Sequence, residues 1–288
     1  MNHVVKSVSI ILFVIALGAG IAIAGSQKGA TIFNKFPLFA FCVIMAFTIN
    51  WIAFIPAYIF RTEKFFDLTG SITYITITVA GVLLSPTRDA RSFIVMALII
   101  IWAARLGKFL FERIIRDKKD GRFDELKTNF LRFLIVWTLQ GLWVTLTLAA
   151  ALVAITASVR KPLGVFAIVG FIIWLTGFAI ESVADAQKSK WRASPENIGR
   201  FINTGLWRKS RHPNYFGEIL IWIGIAIIAL PVLQGWQFFS LISPVFVIIL
   251  LTRISGLPML EKRADDKWGG QDDYEEYKKN TPVLIPKL

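Results

Sequence analysis

Long apolar runs, separated by short polar blocks, dominate the pattern of the chain. Each run is about 17 to 28 residues long, which is enough for a helix to cross a hydrocarbon core roughly 30 Å thick. Because the runs carry almost no charge, they predict membrane-spanning helices rather than the helices of a soluble core. The eight candidate runs are 8–24, 37–60, 68–86, 93–111, 129–156, 163–182, 216–233 and 237–255.

Composition agrees with this prediction, since 55% of the residues are hydrophobic and the mean hydropathy is +0.61. The formal net charge of +13 would also suit nucleic-acid binding. The charges, however, lie in blocks between the apolar runs, so we predict no nucleic-acid partner. The first run also fits a cleavable signal peptide, because Lys6 precedes it and Ala22 and Ala24 end it. We predict an all-α polytopic integral membrane protein with seven or eight transmembrane helices.

Lysine and arginine positions orient the predicted helices. With the N-terminus inside, 22 of the 32 basic residues fall in inner segments and six in outer loops. This asymmetry predicts that both long polar loops and the C-terminal tail face the cytoplasm, in a bacterial cytoplasmic (inner) membrane. Basic loops of this kind also contact lipid headgroups without any further role.

Metal and nucleotide motifs are missing from the sequence. One cysteine, Cys42, and two distant histidines, His3 and His212, give no set of ligands for zinc, haem or an iron–sulfur cluster. There is no Walker loop and no GxSxG sequence. We therefore expect no bound metal.

A polar cluster stands at the start of the seventh run, in "TGLWRKSRHPNYFGEILIWIGIAI" from Thr204. Pro213 suits a chain entering a helix, and Asn214 is a candidate N-cap, so the helix should begin near Tyr215 or Phe216. Helix N-termini attract anions. Three cationic side chains precede this one: Arg208, Lys209 and Arg211. The cluster predicts a phosphate or carboxylate site at the inner membrane surface.

Glu218 lies in the first turns of that predicted helix. It is four residues before Trp222, so both side chains project from one helix face, where they could hold an amide or a hydroxyl of a ligand. The structural alternative is a capping glutamate that pairs with Arg211.

Ionisable groups within or beside the runs also need an explanation, since each costs several kcal/mol in a bilayer unless it is paired or faces a cavity. Asp185 and Arg192 are seven residues apart and share a helix face if the sixth helix continues past its apolar run. Asp67 fits either a helix cap or a catalytic carboxylate. Arg253 fits either a functional-site residue or an arginine whose side chain extends to the membrane–water interface.

Two segments identify a resemblance. "GLWRKSRHPNYFGEILIWIG" and "RISGLPMLEKRADDKWGGQDDYEEYKKNTPVLIP" resemble the superfamily of steroid 5-alpha-reductases, sterol reductases and isoprenylcysteine carboxyl methyltransferases, in particular its uncharacterised bacterial 5-alpha-reductase-like membrane proteins. The resemblance is strong over about 180–288 and weaker upstream. It implies either NADPH-dependent reduction of a conjugated double bond or methylation by S-adenosylmethionine.

The spacing Asn214-x-x-x-Glu218, and Asp185 followed by Arg192, resemble the reductases. By this resemblance the NADPH site holds Asp185, Arg192, Asn214, Glu218 and Arg253. The motif shared by both branches adds Arg211, His212 and Tyr215. We also assign Arg105, Arg113 and Trp222 to the cofactor site.

The substrate site departs from the steroid reductases, where a Gln-Glu pair and a tyrosine hold the steroid ketone. No such pair is found here, and Gly199 and Phe201 occupy the region of another expected tyrosine. Asp67 and Tyr74, seven apart on one helix face, are the substitutes that we predict, with Trp102 in place of the ketone-site tyrosine. Asp67, Tyr74 and Glu218 form the predicted catalytic set.

The resulting hypothesis is a membrane-embedded reductase that uses NADPH to reduce the conjugated C=C bond of a lipophilic, steroid-like or isoprenoid carbonyl substrate. The first alternative is a methyltransferase that uses S-adenosylmethionine on a lipidic or isoprenoid acceptor. The second is a non-catalytic lipid-binding or transport protein. Residues 1–128 are assigned to the substrate side, and residues 129–288, with the cytoplasmic loops, to the cofactor pocket.

Overall fold

The computed structural model describes residues 3–33, 35–118 and 120–287. Within this part of the chain nearly all regular structure is helical, apart from one short antiparallel pair, β1 (Thr31–Ile32) and β2 (Phe36–Pro37). The α-helices are α1 (His3–Ser26), α2 (Leu38–Ile59), α3 (Phe66–Leu84), α4 (Ala90–Asp117), α5 (Phe130–Thr156), α6 (Val165–Ala193), α7 (Pro213–Ala229), α8 (Ile242–Ile249), α9 (Leu257–Trp268) and α10 (Asp272–Asn280).

Eight helical segments of the described chain are long and apolar enough to cross a membrane. They confirm the all-α, multi-span prediction. These segments are His3–Ser26, Leu38–Ile59, Phe66–Leu84, Ala90–Asp117, Phe130–Thr156, Val165–Ala193, Pro213–Val232 and Gly235–Trp268. The last one is irregular, because a 3-10 stretch precedes α8 and a π-helical turn, Leu250–Ile254, follows it.

The chain divides into two compact units. The first comprises Met1–Gly164 and Ile228–Ser243, and the second comprises Val165–Ile227 and Pro244–Leu288. The predicted division of roles at residue 128 remains a prediction.

Helix α5 forms the core of the first unit. It packs against α1, α2, α3 and α4, and 83% of its most apolar stretch is buried. Six consecutive small or aliphatic residues of its C-terminal half, Ala149–Ala154, are fully buried. A helix surrounded by other helices can be apolar on every face, as this one is.

Several basic residues of the first unit make internal bonds. Arg160 donates to the carbonyl oxygens of Ala154 (2.8 Å) and Ile155 (2.7 Å) at the end of α5. Arg91 is buried and donates to Lys161 O at 2.8 Å. These arginines, which counted only as orientation markers in the sequence, fix the loops that join the helices.

Glycines bring α6 and α7 of the second unit into backbone contact. A Cβ atom on Gly177 would lie 2.5 Å from the carbonyl oxygen of Gly217, and one on Gly224 would lie 2.6 Å from Gly170 O. Real Cβ atoms do not approach so closely, so only glycine fits at these crossings. Small residues that let helix backbones meet are a common basis of helix association in membranes.

The start of α7 corrects one prediction. The helix begins at Pro213, and neither Tyr215 nor Phe216 is its first residue. The amide of Phe216 donates to the carbonyl of His212 at 3.3 Å, so His212 occupies the N-cap position and Asn214 lies inside the first turn. Proline causes the shift, since its fixed φ suits the first helical position and its missing N–H needs no acceptor there.

The glycine crossing yields a stability prediction. Gly177→Ala should lower the apparent melting temperature of the detergent-purified protein by several degrees, because the new methyl group meets backbone that cannot rotate away, at about 1–3 kcal/mol for an overpacked site. Gly20→Ala is the matched control, since nothing lies within 4 Å of a Cβ at Gly20 on exposed α1. Equal melting temperatures for both variants would contradict the close crossing.

Candidate functional site

A cavity of about 310 Å³ lies within the second unit. Its walls come from the C-terminal end of α6, from the segment that precedes α7, and from α9 and α10. Helix α6 continues to Ala193, past its apolar run, so Asp185 and Arg192 lie on one continuous helix as predicted. The volume is at the lower end of the range for small-molecule sites, roughly 300–1,000 Å³.

Positive charge dominates the lining of this cavity. Among the described lining residues there are six cations and one carboxylate, that of Glu261. A cleft lined by one sign of charge concentrates ligands of the opposite sign. The six cations are Lys188, Arg192, Arg200, Arg211, Arg263 and Lys267. The cavity is therefore suited to a ligand with several negative charges.

Glu261 lies between Arg211 and His212. Its Oε2 is 2.5 Å from Nη1 of Arg211, and its Oε1 is 2.6 Å from Nε2 of His212. The side chains of Arg211 and His212 are only 13% and 7% exposed, so little water screens these contacts. Because Arg211 and Glu261 neutralise each other, the net positive charge of the lining comes from the other five cations.

His212 retains an unused acceptor. Burial lowers the pKa of His212, and the hydrogen bond with Glu261 opposes this shift without reversing it, so the ring is neutral near pH 7. The carboxylate of Glu261 accepts the Nε2 proton, which leaves Nδ1 as the acceptor nitrogen. Nδ1 is buried and has no hydrogen-bond partner among the described residues, and the same holds for the indole N–H of Trp191. These two lining residues can bond hydroxyl or amide groups of a ligand.

Aromatic side chains form the remaining wall. Trp207 is buried, donates from Nε1 to Ala184 O at 3.0 Å, and carries the Lys188 ammonium 4.2 Å above its ring. The Tyr277 hydroxyl donates to Trp207 O at 2.6 Å. Burial raises the pKa of Tyr277, so this hydroxyl stays protonated. Phe201 packs against Tyr277 with ring centroids 5.2 Å apart. Such flat faces can stack on the rings of a ligand.

The C-terminal tail fixes the segment that carries Arg211. The Arg211 amide donates to Pro282 O at 2.9 Å, and the hydroxyl of Ser210 donates to Leu284 O at 2.8 Å. The amide of Lys287 donates to Lys209 O at 2.9 Å. The cationic segment is thus held in place by the tail.

Of the predicted cofactor residues, Arg192, Arg211 and His212 line the cavity. Tyr215 stacks on His212, with ring centroids 5.7 Å apart and the rings inclined by 19°. Arg211 pairs with Glu261, a partner that the sequence did not suggest.

The other predicted residues of the second unit lie on helices around this segment. Asp185 is buried on α6, and Asn214 and Glu218 are half-buried in the first two turns of α7. Trp222 is fully buried, and Arg253 is exposed in the π-helical turn. Their assignment to the cofactor remains a prediction.

The predicted residues of the first unit lie on α3 and α4. Asp67 accepts a hydrogen bond from Nη2 of Arg113 at 3.3 Å, so a predicted catalytic residue and a predicted cofactor residue are paired. Tyr74 is buried and packs edge-on against Trp102, with centroids 5.1 Å apart. Arg105 is half-buried on α4. Their roles also stay predictions.

Sequence reasoning missed the contribution of α9. The lining residues of this helix are Leu260, Glu261, Arg263, Ala264, Lys267 and Trp268. They follow the spacing i, i+1, i+3, i+4, i+7, i+8, which places them on one helix face. This periodicity was the signal that could have found them, but the other face of the helix is also charged, with Lys262, Asp265 and Asp266, so the pattern does not stand out in the sequence.

Comparison with known proteins bears on this arrangement. The profile of a family described as "Protein of unknown function (DUF1295)" matches residues 53–281. The chain belongs to this family. The match includes the described cavity, from Lys188 to Tyr277.

Three curated relatives were found. An uncharacterized protein, C594.04c, of Schizosaccharomyces pombe is 24% identical over 69% of this chain and 64% of its own length. The mouse 3-oxo-5-alpha-steroid 4-dehydrogenase 1 is 27% identical over 41% of each chain. The rat protein of the same name is 28% identical over 41% of this chain and 40% of its own. The chain thus spans less than two thirds of the relatives it matches.

These matches support the steroid 5-alpha-reductase superfamily and confirm the resemblance drawn from the sequence. No solved structure matches the chain.

The buried, neutral His212 gives a pH prediction. Its folded pKa lies below the ordinary value of 6.5, so the folded state binds fewer protons than the unfolded state as pH falls through this region. The resulting stability is present above the unfolded pKa and is lost toward acid. The apparent melting temperature should fall between about pH 7.5 and about pH 5.5 in the wild type, and fall less in His212→Gln.

His3→Gln is the matched control, since His3 is exposed at the start of α1. It should keep the pH dependence of the wild type. If His212→Gln also kept that dependence unchanged, the assignment of a buried neutral imidazole would be wrong.

Proposed function

We propose that the protein is a membrane-embedded reductase that binds NADPH in the cavity of the second unit. The observation that carries this proposal is the charge of the described lining, where six cations stand against one carboxylate, an excess of five positive charges. NADPH carries a diphosphate and a third phosphate, and arginine is well suited to bidentate phosphate contacts. The relatives named 3-oxo-5-alpha-steroid 4-dehydrogenase add the reaction class.

Residues of the lining fit the chemical groups of this cofactor. Arg192, Arg200 and Arg263 would hold phosphates, while the unused Nδ1 of His212 would accept a hydrogen bond from a hydroxyl or carboxamide. The aromatic wall would stack on a ring. The resemblance also assigns Asp185, Asn214, Glu218 and Arg253 to this site, which we keep as part of the proposal.

When bound, NADPH supplies a hydride to the β-carbon of a conjugated carbonyl compound. The residues of the chain must then polarise the carbonyl oxygen and deliver one proton to the α-carbon, giving the saturated carbonyl product. We propose that the Tyr74 hydroxyl polarises that oxygen and that Asp67, paired with Arg113, helps to orient the substrate. Glu218 completes the proposed catalytic set.

The substrate is proposed to be a lipophilic carbonyl compound of steroid-like or isoprenoid type that reaches the enzyme from the bilayer. The N-terminal part, residues 1–128, is proposed to bind it, and the C-terminal part to bind the cofactor. In this proposal the protein spans a bacterial inner membrane, and its polar loops and tail lie on the cytoplasmic side, as the distribution of basic residues favours.

Methyl transfer is the second candidate, because the superfamily includes methyltransferases that share the motif around Arg211, His212 and Tyr215. Glu261 could bind the amino group of S-adenosylmethionine. The excess of positive charge in the cavity disfavours this cationic cofactor, since like charges repel in a partly buried site.

A binding experiment tests the proposal. Arg192→Gln should raise the Kd for NADPH, measured by fluorescence titration of the detergent-purified protein, by about tenfold, because one charge-assisted phosphate contact is lost. Lys190→Gln is the matched control, since Lys190 is exposed on the same helix and lies outside the described lining. Equal Kd values for both variants and the wild type would contradict phosphate binding in this cavity.

A further inference from the structure

A second polar cavity, of about 290 Å³, lies where the first turns of α1 and α5 meet in the first unit. It shares no residue with the proposed cofactor cavity. Its described lining combines basic, neutral polar and aliphatic side chains. The lining residues that matter here are His3, Lys6, Ser7, Ile10, Arg132 and Ile135.

The charge of this cavity is positive. Lys6 and Arg132 face a common space together with His3, and the described lining includes no carboxylate. The backbone of Arg132 is fixed in the first turn of α5, because its amide donates to Oδ1 of Asn129 at 3.1 Å in the N-cap bond of that helix. Two permanent cations across one cavity favour an anion such as a phosphate diester.

The rest of the lining is aliphatic, with Ile10 and Ile135 half-buried at the cavity. Beyond it, α1 presents a strip of exposed apolar side chains on the same face as Ile10, such as Phe13 at 63% and Leu17 at 44% exposure. Since α1 is a candidate membrane span, this strip is suited to hydrocarbon. A small soluble anion would use the cations and leave the apolar part of the cavity unfilled.

We infer that this cavity binds one anionic glycerophospholipid. The headgroup phosphate lies between Lys6 and Arg132, and the first methylenes of an acyl chain pack on Ile10 and then along α1. Basic pockets between transmembrane helices are a known basis of headgroup selection. The lipid ties α1 to α5 at the membrane surface, because each cation stands on a different helix.

The test measures retention of phosphatidylglycerol by the full-length, detergent-purified protein in native mass spectrometry, with phosphatidylcholine of the same acyl chains as the comparison lipid. The wild type should bind phosphatidylglycerol more tightly than phosphatidylcholine. The double variant Lys6→Gln/Arg132→Gln should bind phosphatidylglycerol roughly 25-fold more weakly, at roughly fivefold for each cation near the surface.

Lys64→Gln is the matched control, since Lys64 is an exposed cation of the same unit outside this lining. This variant should retain phosphatidylglycerol like the wild type. The wild type, the double variant and Lys64→Gln should all bind NADPH equally. Equal NADPH binding separates a failure of this inference from a failure of the proposed reductase function. Equal retention by the double variant, or equal binding of both lipids, would overturn the inference. So would full displacement of the lipid by millimolar inorganic phosphate, because that outcome indicates a simple anion site.

Discussion

The absence of water from the hydrocarbon core is the constraint on which the whole structure depends. A backbone N–H or C=O without a partner there costs several kcal/mol, so the chain must cross as helices that satisfy their own backbone. Most charged side chains are then placed at helix ends and in the segments between helices. The cationic cavity follows this rule, since its walls come from the end of α6, the segment before α7, and the polar helices α9 and α10.

Most of the architecture could be predicted from the sequence, because crossing a bilayer requires a run of apolar residues that is easy to recognise. All eight predicted runs correspond to helical segments of the described chain. Local chemistry was harder to predict. The helix at Pro213 begins two or three residues early, since the proline itself supplies the first helical position and His212 supplies the cap.

The site was predicted only in part, because sequence spacing reports neighbours along one helix and not contacts between helices. Arg192, Arg211 and His212 were found from their motif, but Glu261, which is 49 residues beyond His212, was not. Likewise, Gly177 and Gly217 look ordinary in an apolar run, and only the packed structure shows that their backbones meet. Long-range pairs of this kind require the fold.

Thermal unfolding of the purified protein with separate additions of NADPH, NADH and S-adenosylmethionine tests the central claim most directly, namely that the cationic cavity binds a polyanionic dinucleotide. A ligand present at a hundred times its Kd stabilises the folded state by about 2.7 kcal/mol, which a melting curve resolves. The account predicts the largest shift with NADPH and none with S-adenosylmethionine. A shift with S-adenosylmethionine alone would contradict the account. So would the absence of a shift with all three ligands.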